Sequence, residues 1–206
     1  MLIILSSALA MAISGPAQAK DSKTDVITFF NPDDSPAAGN VVGEATLKRS
    51  KEGVKVTVHT TDLGAGNAYT VWWVIFNNPD ACVGGCAGPD LGTPAVEGSV
   101  MNATGRLADS EGNAWFSAFL PAGFIHTNPS NGDLRQVFGP GLQNVEGAEI
   151  HIVIRCHGPW SGNVEQISTL LGDCNNAASP TGCYDAQAAA FPKPKKKSKK
   201  DKKSKK

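Results

Sequence analysis

Alternation of apolar and polar residues with a period of two is the feature that most constrains this fold. In residues 54–59 every second position is Val, and Lys55, Thr57 and His59 occupy the positions between. The same alternation runs through GAEIHIVIRCHGPW, residues 147–160. Because successive side chains of a β-strand point to opposite faces, both segments are predicted to be half-buried strands, with His59 on the exposed face. We find no convincing helical periodicity over ten residues, so the chain is predicted to be all-β.

A strand of another kind is expected in residues 68–78, AYTVWWVIFNN, where apolar, β-branched and aromatic residues dominate. Such a run is typical of a strand covered on both faces, so Trp72 and Trp73 are expected to point to opposite sides of the sheet. A carbohydrate-stacking platform of Trp72, Trp73, Trp115 and Trp160 is one hypothesis. Core packing is the better explanation for the three that lie in apolar strands, Trp115 included, so only Trp160, after Gly-Pro, is predicted to be exposed. The 22 Gly and 13 Pro mark turns. We therefore predict a single β-sandwich of about seven or eight mostly antiparallel strands with Greek-key-like connections.

Turn composition predicts a hairpin in the middle of the chain. The runs SVMNATGRLA (99–108) and NAWFSAFLPAG (113–123) flank DSEG, a Gly-containing turn of hairpin length. We expect these two strands to pair with each other.

The chain divides into three segments. Residues 1–19 contain an apolar run from Leu2 to Ile13 and end in Ala-Gln-Ala, a pattern typical of a secretory signal peptide, although no Lys or Arg precedes the run. A buried N-terminal helix is the alternative. Residues 20–191 are predicted to form the secreted β-sandwich domain, and residues 192–206 a disordered tail. The expected location is therefore secreted or periplasmic.

Export favours disulfides over a thiolate metal site for the five cysteines. Cys82 and Cys86 flank VGG, whose glycines allow a short loop to close. Cys174 and Cys183 bracket NNAASPTG, which has no apolar pattern, and a bridge there would stabilise the fold by roughly 2–3 kcal/mol on the chain-entropy model. We predict disulfides between Cys82 and Cys86 and between Cys174 and Cys183, with Cys156 free.

The formal net charge of zero conceals a split between an acidic domain and a basic tail. Residues 192–206 hold ten Lys and one Asp, whereas the rest of the chain carries nine Lys and Arg against eighteen Asp and Glu. Because like charges repel and no apolar surface can be buried, the tail is predicted to be disordered. The lysines concerned are Lys193, Lys195, Lys196, Lys197, Lys199, Lys200, Lys202, Lys203, Lys205 and Lys206.

The expected partner of this tail, behind a signal peptide, is an anionic envelope surface. Lipid headgroups, lipopolysaccharide, acidic polysaccharide and extracellular DNA all fit by charge, and no specific nucleic-acid recognition is expected. A solubilising role, or contact between the tail and its own acidic domain, is the alternative.

The histidines raise the hypothesis of a Cu or Zn site, with candidate ligands His59, His126, His151 and His157. Alternation places His151 and His157 on one face of their strand and Cys156 on the other, which excludes a His-Cys-His cluster within the strand. His151 and His157 are about 20 Å apart at roughly 3.3 Å per residue, so an ion would need a ligand from a neighbouring element. The alternative is a polar face that pairs with Glu149 or solvent.

Two further kinds of chemistry have weaker signals. Asn77, Asn78, Asp80 and Asp90, with loop carbonyls, offer oxygen ligands for Ca²⁺, but their spacing matches no EF-hand. No G-x-S-x-G motif is present, and the acidic residues contain no pair that stands out for glycoside cleavage. No enzymatic activity is therefore predicted, and a hydrolase without a recognisable motif remains an alternative.

Three segments carry a resemblance to known proteins: GAGNAYTVWWVIFNNPDAC, GAEIHIVIRCHGP and EQISTLLGDC. They resemble an uncharacterised family of secreted bacterial β-sandwich proteins and, distantly, the CHRD type of extracellular β-sandwich. The resemblance spans roughly residues 40–174 and excludes the Lys-rich tail. The chain departs from the CHRD pattern, which has a His-x-His pair where this strand reads His151-Ile152-Val153. The resemblance implies an extracytoplasmic β-sandwich and supplies no catalytic residues.

These observations together predict a non-enzymatic binding or structural β-sandwich module, tethered to anionic envelope components by its polycationic tail. No cofactor is required by this prediction. An extracytoplasmic Cu/Zn-binding protein that uses the histidines is the first alternative, and Ca²⁺ binding by the loop of residues 77–90 is a further one.

Overall fold

A computed structural model of the chain describes residues 20–29, 39–125, 136–172 and 183–194. Within these ranges nine strands form one sheet in which each pair of neighbours is antiparallel. The elements are β1 (Lys20–Thr28), β2 (Val41–Ser50), β3 (Gly53–Thr60), β4 (Asn67–Phe76), β5 (Gly98–Leu107), β6 (Ala114–Pro121), β7 (Gln136–Phe138), β8 (Glu149–Pro159), the short helix α1 (Glu165–Ser168) and β9 (Tyr184–Phe191).

The sheet curves around the main buried core. Its strand order is β6-β3-β2-β1-β9-β8-β4-β5-β7. Val56 of β3 and Trp73 of β4 come from different halves of this order, yet both lie in the same core cluster. The predicted all-β, antiparallel fold is confirmed. The two layers of the predicted sandwich are the two halves of one continuous, barrel-like sheet.

Strand β3 has the two faces that its alternation predicts. Val54, Val56 and Val58 are buried, whereas the polar residues between them are exposed. A two-residue turn joins β2 to β3, too short to cover either outer face. The outer face of β3 is therefore open to solvent.

Strand β4 is covered on both faces, also as predicted. Trp73 points into the main core, and Trp72 belongs to a second cluster on the outer face of the sheet. That second cluster is covered by residues 77–97, which contribute the buried Val96, and by the segment around α1, which contributes Leu170. The opposite orientation of the two tryptophans is confirmed.

The segment around α1 packs so closely on β5 that only Gly fits beneath it. A Cβ at Gly105 would lie 2.0 Å from the carbonyl oxygen of Ile167. The absence of a side chain at this position therefore lets the helix cover the outer face of β5.

The predicted β5–β6 hairpin is wrong. The two strands are consecutive and joined by a turn, but β6 pairs with β3, and β5 pairs with β4 and β7. Within the turn, the carboxylate of Asp109 accepts hydrogen bonds from the backbone N–H groups of Glu111 (3.0 Å) and Asn113 (2.8 Å). The chain crosses here from one half of the barrel to the other, and the ladder with β3 satisfies the backbone of β6 on that side.

Strand β9 lies between β1 and β8, although none of the predicted strands covers it. Its Gln187 is fully buried, accepts a hydrogen bond from the Thr60 hydroxyl (2.5 Å) and donates one to the carbonyl of Thr61 (2.7 Å). This polar contact ties β9 to the far end of β3 across the core.

Arg49 of β2 fixes the loop that precedes β8. It is buried, and its guanidinium donates to the carbonyls of Val145 (2.7 Å) and Ala148 (3.0 Å). Burial lowers the pKa of Arg49, and the charge of Glu146 opposes this shift. Among the residues that the structure describes, no helix is long and apolar enough to cross a membrane.

Candidate functional site

The outer face of β8 carries the two histidines that the sequence singles out on this strand. Ile150, Ile152, Ile154 and Cys156 are buried in the main core, and His151 lies on the opposite, partly exposed face. The predicted division of this strand is therefore confirmed. Cys156 points away from His151, so the two cannot bind one ion.

His151 is held by a neighbouring carboxylate. Its Nε2 lies 2.7 Å from Oε1 of Glu149, two residues earlier on the same face. Its ring also meets the ring of Phe76 edge to face, with centroids 5.0 Å apart. This is the pairing with Glu149 that the non-metal interpretation predicts.

His157 lies on the same face of β8 but is buried by the chain that follows. Its Nδ1 is 2.7 Å from the carbonyl oxygen of Gly172 and 3.1 Å from Sγ of Cys183. Because a carbonyl can only accept, Nδ1 carries the proton, and Nε2 accepts from the hydroxyl of Thr70 at 2.7 Å in the neutral tautomer. Through its two ring nitrogens, His157 thus links β8 to Thr70 of β4 and to the carbonyl of Gly172.

His59 stands apart from the other two described histidines. Its ring stacks on that of Trp115, with centroids 3.9 Å apart and planes 15° from parallel. Among the residues that the structure describes, no three His, Cys, Asp or Glu side chains are grouped so as to hold a metal ion. His126, the fourth candidate, lies outside these residues, so its part in a Cu or Zn site stays a hypothesis.

The side chains proposed for Ca²⁺ contact the protein's own backbone and side chains. Asn77 Oδ1 accepts from the backbone N–H groups of Gln143 and Asn144. The two carboxylate oxygens of Asp90 accept from loop amides, Oδ2 from Ala87 at 2.9 Å. The remaining two side chains, Asn78 and Asp80, contact Ala95 and Lys193, respectively. These contacts join residues 77–97 to one another, to the segment that precedes β8 and to Lys193 after β9.

The cysteines follow the predicted pattern where they are described. Cys82 and Cys86 form a disulfide within residues 77–97, and Cys156 is a free, buried thiol. Cys183 is disulfide-bonded as well. Cys174 lies outside the described residues, so its pairing with Cys183 stays a prediction. Next to Cys156, burial and the thiol raise the pKa of Tyr69, which keeps this phenol neutral.

On the covered outer face, Arg155 lies over the ring of Trp72, with its Cζ 4.9 Å from the ring centroid. Arg155 donates to Asp185 Oδ1 (2.8 Å) and to the carbonyl of Cys183 (3.1 Å). Three buried nitrogens around this stack, Arg155 Nε, Trp72 Nε1 and Asn102 Nδ2, have no hydrogen-bond partner. The structure is closed to solvent at these three atoms.

An apolar trough of about 430 Å³ crosses the outer faces of β1, β9 and β8. Ala188 and Ala190 form its floor, because their short side chains lie between Ile27 on β1 and Val153 on β8. The sequence gives no signal for this trough beyond the unusual Ala-rich composition of β9. Phe29 borders it and is the last described residue before residue 39.

A second cleft, of about 380 Å³, lies at the seam between β5 and β6, which do not pair. It is lined by Thr104 and Arg106 of β5, Trp115, Phe116 and Ser117 of β6, and Thr57 of β3. The prediction that Trp115 packs in the core is wrong, because this side chain is 60% exposed. Trp160 is exposed as predicted, though less so, at 37%.

The predicted basic tail begins where the described part of the chain ends. Lys193 pairs with Asp80 in the loop after β4. The other nine tail lysines, from Lys195 onward, lie outside the described residues, as do residues 1–19.

No protein-family model matches this chain, and no curated protein matches it either. Among solved structures, the chain is similar to the Cu/Zn superoxide dismutase from Brucella abortus, with 12% sequence identity and a TM-score of 0.35. The match covers 84% of this chain and 99% of that one.

Proposed function

We propose that this chain is a non-enzymatic, extracytoplasmic binding module that its Lys-rich tail attaches to anionic components of a cell envelope. A secreted or periplasmic location is supported by the signal-like residues 1–19 and by the Cys82–Cys86 disulfide, since disulfides persist in oxidising compartments. The resemblance to secreted bacterial and CHRD-like proteins belongs to the same proposal.

The observation that carries the proposal is the separation of charge along the chain. Ten of its nineteen basic residues follow β9, within residues 192–206. A lysine near an anionic membrane surface contributes about 1 kcal/mol, so a run of ten is sufficient for attachment even after screening by salt. The Lys193–Asp80 pair places the start of the tail beside residues 77–97.

Adsorption to vesicles tests the tail. Full-length protein is compared with a variant in which the ten tail lysines are replaced by Gln, on phosphatidylglycerol vesicles and on neutral phosphatidylcholine vesicles. We expect the native chain to bind the anionic vesicles in a salt-sensitive manner and the variant to lose that binding. A control replaces the exposed lysines Lys48 of β2 and Lys51 of the following turn by Gln and is expected to bind normally.

Equal adsorption of the tail variant and the native chain would contradict attachment through the tail. The location is tested separately, by mass spectrometry of protein exported from its native host. Cleavage after Ala19 should give a mature chain that begins at Lys20, and retention of residues 1–19 would contradict it.

A further inference from the structure

We propose that the cleft at the β5–β6 seam binds an acidic polysaccharide, with a pyranose ring against Trp115 and its carboxylate on Arg106. This inference rests on the proposed binding function and names its ligand class. It assigns to the folded domain a site that is separate from the tail.

The outer face of β6 carries an exposed aromatic surface. Trp115 is 60% exposed on a strand whose other face is core, and Phe119, four residues further on the same face, is 52% exposed. The two side chains are therefore about 13 Å apart along β6, at roughly 3.3 Å per residue. An exposed, extended aromatic surface of this kind matches the apolar faces of successive sugar rings better than it matches water.

The indole of Trp115 is held in place by a neighbouring ring. His59 lies opposite Trp115 in the β3–β6 ladder and covers it with a parallel ring at 3.9 Å. His59 does not line the cleft, whereas Trp115 does. The stack thus holds the indole at the cleft, which reduces the entropy lost when a ligand orders this side chain.

Positive charge lies in and beside the cleft. Arg106 lines the cleft and Lys55 lies opposite Phe119, and neither forms an ion pair with another described residue. Glu44, the acid opposite His59 on β2, is paired with Lys23 at 2.7 Å. In a domain with twice as many acidic as basic residues, this face therefore presents unpaired positive charge.

The groups that line the cleft correspond to the chemical groups of a uronic acid chain. A guanidinium binds a carboxylate through two parallel hydrogen bonds, and it keeps its charge at any physiological pH. The hydroxyls of Thr57, Thr104 and Ser117 line the same cleft and can exchange hydrogen bonds with sugar hydroxyls. Aromatic ring, guanidinium and hydroxyls converge in one open cleft, which is the composition of a polar-ligand site with an apolar wall.

Calorimetric titration of the full-length protein with hexagalacturonate tests the proposal. We expect W115A and R106Q each to weaken binding by about tenfold, the loss expected for one stacking contact or one charge-assisted contact. The matched control W160A removes an exposed tryptophan at the end of β8 and should leave the affinity unchanged. Carboxyl-reduced hexasaccharide should bind the native chain about as weakly as hexagalacturonate binds R106Q.

Polyglutamate separates this site from the tail, because it has carboxylates but no sugar rings. The variant with ten tail Gln residues should lose polyglutamate binding and keep its hexagalacturonate binding, which W115A should again weaken by about tenfold. If W115A binds hexagalacturonate as the native chain does, the cleft proposal is wrong, whether or not the tail holds vesicles. If W115A weakens polyglutamate and hexagalacturonate equally, the cleft takes an acidic peptide and the glycan proposal is likewise wrong.

Discussion

The outer face of the sheet is covered at β4 and exposed at β6. On β4, Trp72 points outward and is covered by Arg155 and by the second hydrophobic cluster. On β6, Trp115 also points outward, but it stacks on the ring of His59 and remains 60% exposed. The two residues are alike in type and in their place on a strand. They differ in what the rest of the chain lays over them.

A long connection supplies the cover on β4. Residues 77–97 join β4 to β5, and this stretch is long enough to bring Val96 and Leu91 onto the outer face of its own hairpin. A two-residue turn joins β2 to β3 and cannot cover anything. One outer face thus forms a second hydrophobic cluster, whereas the other leaves Trp115 60% exposed.

The two outward-facing tryptophans should differ strongly in what they contribute to stability. We expect W72A to lower the free energy of unfolding by about 3 kcal/mol, because it leaves a cavity under Arg155 and the covering loop, and W115A to lower it by less than about 1 kcal/mol. Urea unfolding followed by circular dichroism measures both. Equal losses in the two variants would mean that the outer face of β4 is not a core.

An intermediate effect comes from lifting the cover off β5. G105A should cost about 2 kcal/mol, because its Cβ would meet the Ile167 carbonyl 2.0 Å away and push the segment around α1 outward. The control G92A lies in the covering loop with open space around it and should change stability little. If G105A is as stable as G92A, the contact between this segment and β5 is not required.

The smallest effect concerns the turn that joins the covered half to the open half. Hydrogen bonds from the turn, chiefly from Asn113, lower the pKa of Asp109, so its ionised form stabilises the fold. This contribution is complete above the ordinary Asp pKa of about 3.9 and is lost as the pH falls through the lower folded value. D109N should therefore be less stable than the native chain at neutral pH, and the difference should shrink on acidification.

Unfolding by urea at a series of pH values measures this dependence. The control E111Q changes an acid in the same turn that contributes its backbone N–H to Asp109. It should show no such convergence with the native chain at low pH. A difference between D109N and the native chain that is constant with pH would contradict the role of the ionised carboxylate.

The sequence predicts best those strands in which the alternation of apolar and polar residues alone indicates which side is buried. Val54, Val56 and Val58 alternate with polar residues, and burial follows the same period. The division of β8 into a core face and an outer face is likewise local, since it follows from backbone geometry alone. Prediction of the Cys82–Cys86 pair also needs nothing beyond a short loop with two glycines.

Strand β9 shows where pattern fails. Its sequence YDAQAAAF lacks β-branched residues, and Ala is depleted in strands, yet it occupies a position between β1 and β8. Its backbone pairs on both sides, and its buried Gln187 finds partners at Thr60 and Thr61, over 120 positions earlier in the chain. No local signal can report a partner that far away.

The candidate cleft shows the same limit. Arg106 and Trp115 are close in sequence, but the expected hairpin would have paired their strands and left no seam between them. The exposure of Trp115 depends on the pairing of β6 with β3, which also brings His59 to its ring.

Four properties can be predicted from the sequence alone: the all-β class, the two faces of individual strands, the short disulfide and the separation of charge between domain and tail. These properties depend on side-chain alternation, loop composition and charge, which act over a few residues. The tertiary structure alone decided which outer face is covered, which strands are neighbours and where Trp115, His59 and Arg106 lie. Those outcomes depend on contacts between distant segments, because a strand's pattern specifies that one side is to be buried but not which segment buries it.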